Sequence, residues 1–279
     1  MTLSLTDQRR MEARIDRLRA EGRAFAVATV VRTVDATSAK PGGKALILDD
    51  GTIVEGWIGG GCARGAVARA ALLALAAGKP QFISLRPEEL LETQGVSAGE
   101  ERDGIRFARN GCPSKGSMDI FVEPVLPQPR LAILGAGPVA FALADLAGRF
   151  DFHRTLAAPG LAAQTPPAVE VLRDGFVLDA AGPGFVVVAT QGKGDEAGLR
   201  AALATAAAHV AFVGSRRKFA TLAARLAADG VDAARLNAVK APAGLDIHAI
   251  TPEEIALSIL AEIVSLRRSG ARGPDQGQP

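Results

Sequence analysis

Two cysteines are the residues in this sequence with the most chemistry open to them. Cys62 follows three consecutive glycines, Gly59, Gly60 and Gly61, in GWIGGGCARG, and it opens an Ala-rich run. A thiol in the first turn of a helix meets the positive end of the dipole and N–H groups without partners, which favours the thiolate. Arg64 acts in the same direction. A thiolate is a nucleophile and a soft ligand for a metal or metal–sulfur centre. The competing reading is a small, inert core side chain, the common fate of an isolated cysteine. Cys112 lies in ARNGCPSKGSMDIFVEP, where Asn, Gly, Pro, Ser and Lys compose a surface loop ahead of a strand, with Lys115 close by. Neither thiol has a second cysteine at x-x spacing, which excludes a zinc ribbon and a thioredoxin motif. A regulatory disulfide between them would require Cα atoms within about 7 Å.

A second chemistry is phosphate binding. In LAILGAGPVA an apolar strand runs into Gly135-x-Gly137-x-x-Ala140 and then a helix. Such glycines allow a tight turn and let ligand phosphates approach N–H groups at a helix start. They would also serve if they did no more than let strand and helix pack closely. An NAD site needs an acidic residue about 20 positions on, at the end of the next strand. In RTLAAPG that place holds Ala157, Ala158 and Pro159, and no arginine follows to take an NADP phosphate. The expectation is a phosphate-bearing ligand other than a nicotinamide dinucleotide. In GSRRKF, Ser215, Arg216, Arg217 and Lys218 open a further helix and either bind phosphate or form a solvated basic face. His153, His209 and His248 are scattered without ligand spacing, and no Gly-x-Ser-x-Gly elbow is present.

The elements that must position these residues follow from periodicity. TDQRRMEARIDRLRAEG is an amphipathic helix, FAVATVVRTV a buried strand, and KALIL with GTIVEGWI a hairpin about Asp49, Asp50 and Gly51. CARGAVARAALLALAAG is a helix ending at Gly78, and FISL and MDIFVEPVL are strands. Three prolines between Pro124 and Pro129 mark a domain boundary. Beyond it strands alternate with helices through FVVVAT, EAGLRAALATAA, HVAFVG and RRKFATLAARLAADG, the pattern of a parallel sheet covered on both faces. The last helix has Thr251 as N-cap and Pro252 at its first position. The expected fold class is α/β. Residues 1–127 form a mixed α+β domain, 128–268 a Rossmann-like doubly wound parallel sheet, and 269–279 a mobile Gly/Pro-rich tail.

Composition limits the partners. With 48% apolar and 22% charged residues the chain folds, and 32 basic against 30 acidic residues leave no field to hold a nucleic acid. No run approaches the roughly 20 apolar residues of a membrane span, and no export signal opens the chain, so a cytoplasmic protein with reduced thiols is expected.

Four segments in order, GWIGGGCARGAV, GCPSKGSMDIFVEP, LAILGAGPVA, and the stretch from VVVATQGKGDEAGLRAAL through VAFVGSRRKFATLAARL to APAGLDIHAITPEEIALSILAEIV, together resemble the XdhC/CoxI family of molybdoenzyme accessory factors. The resemblance spans Phe25 to Arg268. It implies a protein that binds molybdenum cofactor, as molybdopterin or its cytosine dinucleotide, and shields it from oxidation. It also implies support for sulfuration by a cysteine desulfurase and delivery to the large subunit of an apo-molybdoenzyme, by a homodimer that is not itself a turnover enzyme. Cys62 and Cys112 match the cysteines of the family's N-terminal motifs, as contacts for molybdenum or sulfur. Gly135, Gly137 and Ala140 match its Rossmann turn, and Ser215 to Lys218 its Gly-Ser-x-x-Lys segment. The sequence departs from the family at Ala158, where Asp is usual, at Ile247-His248, where Ile-Gly is usual, and at Cys-Pro-Ser-Lys-Gly in place of Cys-Gly-Gly. These departures indicate a subgroup, such as one serving a carbon monoxide dehydrogenase-like enzyme. The alternative from another class is an NAD(P)-dependent oxidoreductase, which lacks a visible ribose clamp and proton donor.

Overall fold

The β-branched run FAVATVVRTV becomes a strand that is paired on both sides, and the N-terminal sheet is built around it. The computed structural model describes residues 4–113, 115–179 and 184–269. The chain divides into two units, 1–127 and 128–279. In chain order the first contains α1 (Leu5–Ala20), β1 (Phe25–Val34), β2 (Lys44–Leu48), β3 (Ile53–Gly56), α2 (Gly61–Ala77), β4 (Gln81–Arg86), α3 (Glu88–Thr93), β5 (Glu101–Arg102), β6 (Ile105–Arg109) and β7 (Ser117–Val125). The second contains β8 (Arg130–Leu134), α4 (Pro138–Ala147), β9 (His153–Ala158), β10 (Val171–Asp174), β11 (Phe185–Val188), α5 (Asp195–Leu203), β12 (His209–Phe212), α6 (Arg216–Ala228), α7 (Ala233–Asn237) and α8 (Pro252–Ser269).

In the first unit the strand order is β3-β2-β1-β7-β4-β6-β5, antiparallel except for β4 beside β6. The alanines of α2 let it lie close on one face: Ala63, Ala66, Val67, Ala70 and Ala74 pack with Ala26, Ala28, Val30, Ile83, Ile120 and Val122. Removing one such Ile from water is worth about 1.5–3 kcal/mol, so the sheet register is held by burial. The α1 helix, capped by Ser4 Oγ accepting from Asp7 N at 3.1 Å, buries Met11 and Leu18 against Phe25 and Leu46. The hairpin turns at Gly51 as expected, but its second strand stops at Gly56 instead of running through Ile58. Gly56 has φ +85, and a Cβ there would strike the Lys44 carbonyl. Pro124 lies inside a strand, opposite Ala26 on β1. By that point β7 is paired on one side only, since its β4 pairing ends at Val122, and a proline is tolerated at such an edge.

The second unit has the parallel order β10-β9-β8-β11-β12. Alternate residues of β8 divide between two faces, as a pleat requires. Leu131 and Ile133 join α4 and α8, while Ala132 and Leu134 join α5 and α6. The start of α8 is a capping box: Glu254 N donates to Thr251 Oγ1 at 3.3 Å, and Glu254 Oε2 accepts from Thr251 N at 2.9 Å. Ser269 closes that helix; the tail expected beyond it lies outside the described residues. Among the described residues no helix is long and apolar enough to cross a membrane.

Candidate functional site

In the first unit the chain enters α2 through Gly59, which has φ +115 and faces Ala63, Ser38 and Met118. Gly60 is the N-cap and brings no side-chain cap, and Cβ atoms on Gly60 or Gly61 would meet nothing within 4 Å. The first turn of α2 is thus uncrowded at these two positions, and no side chain of the N-cap takes up its first N–H groups. Cys62 is a free, exposed thiol, which rules out the core reading. The Cys112 motif comes to it: a Cβ on Gly111 would lie 3.7 Å from Cys62 Sγ, and Cys112 is exposed.

Asn110, which the sequence did not single out, fastens that loop. Its N donates to Arg86 O at 2.7 Å and its Nδ2 to Gly116 O at 2.6 Å, while its Oδ1 accepts from Cys112 N at 3.2 Å. Lys115 turns to Glu89, Nζ to Oε1 at 2.5 Å, and that hydrogen bond lowers the Glu89 pKa. Beneath lies a second unforeseen network, in which Asp119, 5% exposed, accepts from Arg32 Nε, Arg86 Nη2 and Ser84 Oγ, each at 2.8 Å. Among the described residues no group of three or more His, Cys, Asp or Glu could hold a metal ion.

In the second unit the glycine turn has divided duties. Gly135, at φ +143, is demanded by its neighbour strand, since a Cβ would collide with the Ala189 carbonyl. Ala140, on the inner face of α4, is fully buried and packs in the core, so its side chain is not open to a ligand. Gly137 is the N-cap of α4 without a side-chain cap, and Pro138 follows with no N–H to offer. The Gln191 side chain, unforeseen, lies over Gly137 where a Cβ would stand.

Of the basic run, Ser215 is used as a cap, its Oγ accepting from Lys218 N at 3.2 Å. Lys218 Nζ pairs with Asp195, a 7% exposed carboxylate that also accepts from Thr190 Oγ1 and Gly192 N. Burial works to raise the Asp195 pKa; the Lys218, Thr190 and Gly192 hydrogen bonds outweigh it and the net shift is downward. Lys218, expected as a phosphate ligand, is thus engaged by a carboxylate of the protein. Arg216 and Arg217 are exposed, with no side-chain ion pair among the described residues. The end of β9 carries no acid, but Asp174 of β10 reaches over it, Oδ1 accepting from Gly160 N at 2.7 Å.

The second unit is thus a Rossmann sheet whose glycine turn has no side-chain cap, and the first a mixed sheet that displays an exposed thiol at a glycine-opened helix start. The XdhC Rossmann domain matches residues 131–263, and the XdhC and CoxI family matches residues 18–86. The chain belongs to the XdhC and CoxI family. A relative in Escherichia coli K12, described as an uncharacterized protein, YqeB, is 30% identical over 267 residues, 89% of this chain. The chain spans only 44% of that relative's length. A solved structure described as a xanthine dehydrogenase from Bacillus halodurans is 19% identical with a TM-score of 0.61. It covers 95% of this chain and 68% of its own, a likeness that concerns the fold alone.

Proposed function

We propose that this chain is an accessory protein that holds a molybdopterin-type cofactor, protects it, and delivers it to the large subunit of a xanthine dehydrogenase- or carbon monoxide dehydrogenase-like enzyme. The observation that carries the reading is the exposed Cys62 thiol at the open start of α2, with the Gly111–Cys112 loop against it. Such a cofactor carries a soft metal–sulfur centre and phosphate, and each unit has residues suited to one of these chemistries. In the first unit Gly60, Gly61 and Cys62 offer N–H groups and a soft donor, and Cys112 a second thiol. In the second, the start of α4 at Gly137 would offer N–H groups to phosphate once the Gln191 side chain moves off it, with Arg216 and Arg217 as free cations. The family supports the role. Sulfuration by a cysteine desulfurase, a homodimeric state and a cytoplasmic setting belong to the same proposal.

The test is to purify the full chain without oxygen and measure molybdenum, pterin and nucleotide. Stoichiometric molybdenum and pterin, transferable to an apo-molybdoenzyme, is the expected result. Chain without either, binding NADH at micromolar concentration and passing hydride to an acceptor, would overturn it in favour of an oxidoreductase.

A further inference from the structure

We infer that Asp174 is a clamp for the ribose hydroxyls of the ligand, and that the second unit therefore selects a ribonucleoside diphosphate over a bare phosphate ester. The inference rests on reading the Gly137 turn as a phosphate site.

In a Rossmann sheet the ribose is held by a carboxylate over the end of the strand next to the glycine turn. Here that strand is β9, and it ends in Ala157 and Ala158. The parallel register places Asp174 opposite Ala158, one strand further out. The carboxylate then leans back across β9, since its Oδ1 accepts from the N–H of Gly160, in the first turn after that strand, at 2.7 Å. An acid borrowed from the third strand thus stands where the second strand's own acid is missing.

Three backbone contacts set these strand ends in a row. Gly135 N donates to Ala157 O at 3.0 Å, Gly175 N to Ala158 O at 3.0 Å, and Ala189 N to Leu134 O at 2.8 Å. With about 4.8 Å between neighbouring strands, the glycine turn and β10 are separated by about 10 Å, the scale of a nucleoside phosphate. The space is open: a Cβ on Gly160 would meet nothing within 4 Å, and Asp174 is exposed. Its second oxygen has no partner among the described residues, and the adjacent Arg173 is paired with Asp179 at 3.6 Å. An ionised carboxylate accepts only, so a group reaching it must bring donors. A vicinal diol brings two, whereas a further phosphate would be repelled.

The experiment is calorimetric titration of the full chain with CDP and with 2′,3′-dideoxy-CDP, repeated on Asp174→Asn and Gly137→Asp. Asn keeps an oxygen for Gly160 N, so the turn survives while the charge is lost. Expected is a preference for CDP of about tenfold or more in the unsubstituted chain, the scale of hydrogen bonds to a charged group. In Asp174→Asn the preference should fall to within about twofold, with dideoxy-CDP binding unchanged, and Gly137→Asp should lose both ligands. Equal binding of the two nucleotides by the unsubstituted chain overturns the clamp and leaves the phosphate site standing. A preference that survives in Asp174→Asn overturns it as well. Failure of both nucleotides to bind removes the phosphate reading, and the clamp with it. The comparison on the unsubstituted chain decides the matter even where a variant does not fold.

Discussion

Gly111 rests against Cys62: a Cβ built on it would stand 3.7 Å from the Sγ, an ordinary van der Waals separation. The loop bearing Cys112 therefore shields one side of a thiol that the glycines leave open on the other. Gly111→Ala should be tolerated, and Gly111→Phe should close over the thiol. Alkylation of Cys62 by a maleimide, read by peptide mass spectrometry, is expected to slow several-fold in Gly111→Phe and hardly at all in Gly111→Ala. Equal rates in all three proteins would mean that the loop does not lie on the thiol in solution.

The same neighbourhood predicts the effect of removing sulfur. Cys62 is exposed, so Cys62→Ser deletes no core contact and should shift Tm by no more than about 2 °C. If the thiol holds cofactor, anaerobic loading should leave Cys62→Ser with a small fraction of the molybdenum retained by the unsubstituted chain, and Cys112→Ser with an equal or larger fraction. Full retention by both would assign the thiols no part in binding.

The two glycines of the Rossmann turn should part company under substitution. Ala at 135 must adopt φ +143 and drive its Cβ into the Ala189 backbone, which cannot yield. A cost of about 3 kcal/mol or more is expected, which for a chain of this size lowers Tm by roughly 6–12 °C. Ala at 137 meets only the flexible end of Gln191, so its Tm should stay within about 3 °C while nucleotide binding weakens. Calorimetry on the two variants separates the roles, and similar Tm losses would contradict them.

Acid stability should fall in two stages. Burial holds the His209 pKa below its usual 6.5, against the pull of Glu262 and with the help of Lys240. A group whose folded pKa is depressed stabilises the fold above its unfolded value, and loses that contribution as pH drops toward the folded one. His209 thus costs stability progressively below pH 6.5. Glu170 is lowered from 4.5 to about 2, first by its hydrogen bonds with the Arg154 side chain. Its contribution is complete above pH 4.5 and is lost between there and about 2. Tm measured from pH 8 to 3 should begin to decline below 6.5 and steepen below 4.5. His209→Gln should flatten the upper stage and Glu170→Gln the lower; unaltered curves would exclude these groups.

The strand, glycine turn and helix at Leu131 to Ala147 were legible because their burial is nearly continuous and the periodicities are strong. The strand β10 was not, because it is four residues at a sheet edge with Leu172, Arg173 and Asp174 exposed, so burial leaves no pattern to read. The segment carrying α3, β5 and β6 was missed for a related reason, since β6 is only partly buried along its length. Cys62 was visible through its glycines. Its closeness to Gly111 depends on the register of β4 with β6, which brings Asn110 to Arg86, and no local spacing encodes that. Asp174 is outside the fingerprint spacing, which points to the end of β9, because it lies on the neighbouring strand.

Gln191 gives the sharpest test of whether the glycine turn takes phosphate. It holds φ +51, a conformation that costs a residue with a Cβ about 1 kcal/mol, and its side chain covers Gly137. Gly at 191 adopts that φ without strain but adds a similar entropy to the unfolded chain, so the two terms nearly cancel and Tm should move by less than about 3 °C. What changes is access. With the side chain gone, the N–H groups at the start of α4 are uncovered, and CDP should bind Gln191→Gly more tightly than the unsubstituted chain by a few-fold. Were the Gln191 amide instead a donor to the ligand, the same variant would bind more weakly. Gln191→Glu separates the alternatives further, because a carboxylate over the turn repels phosphate without uncovering anything. Tighter binding in Gly and loss in Glu is the expected pair. Indifference of CDP to both variants would place its phosphates away from Gly137.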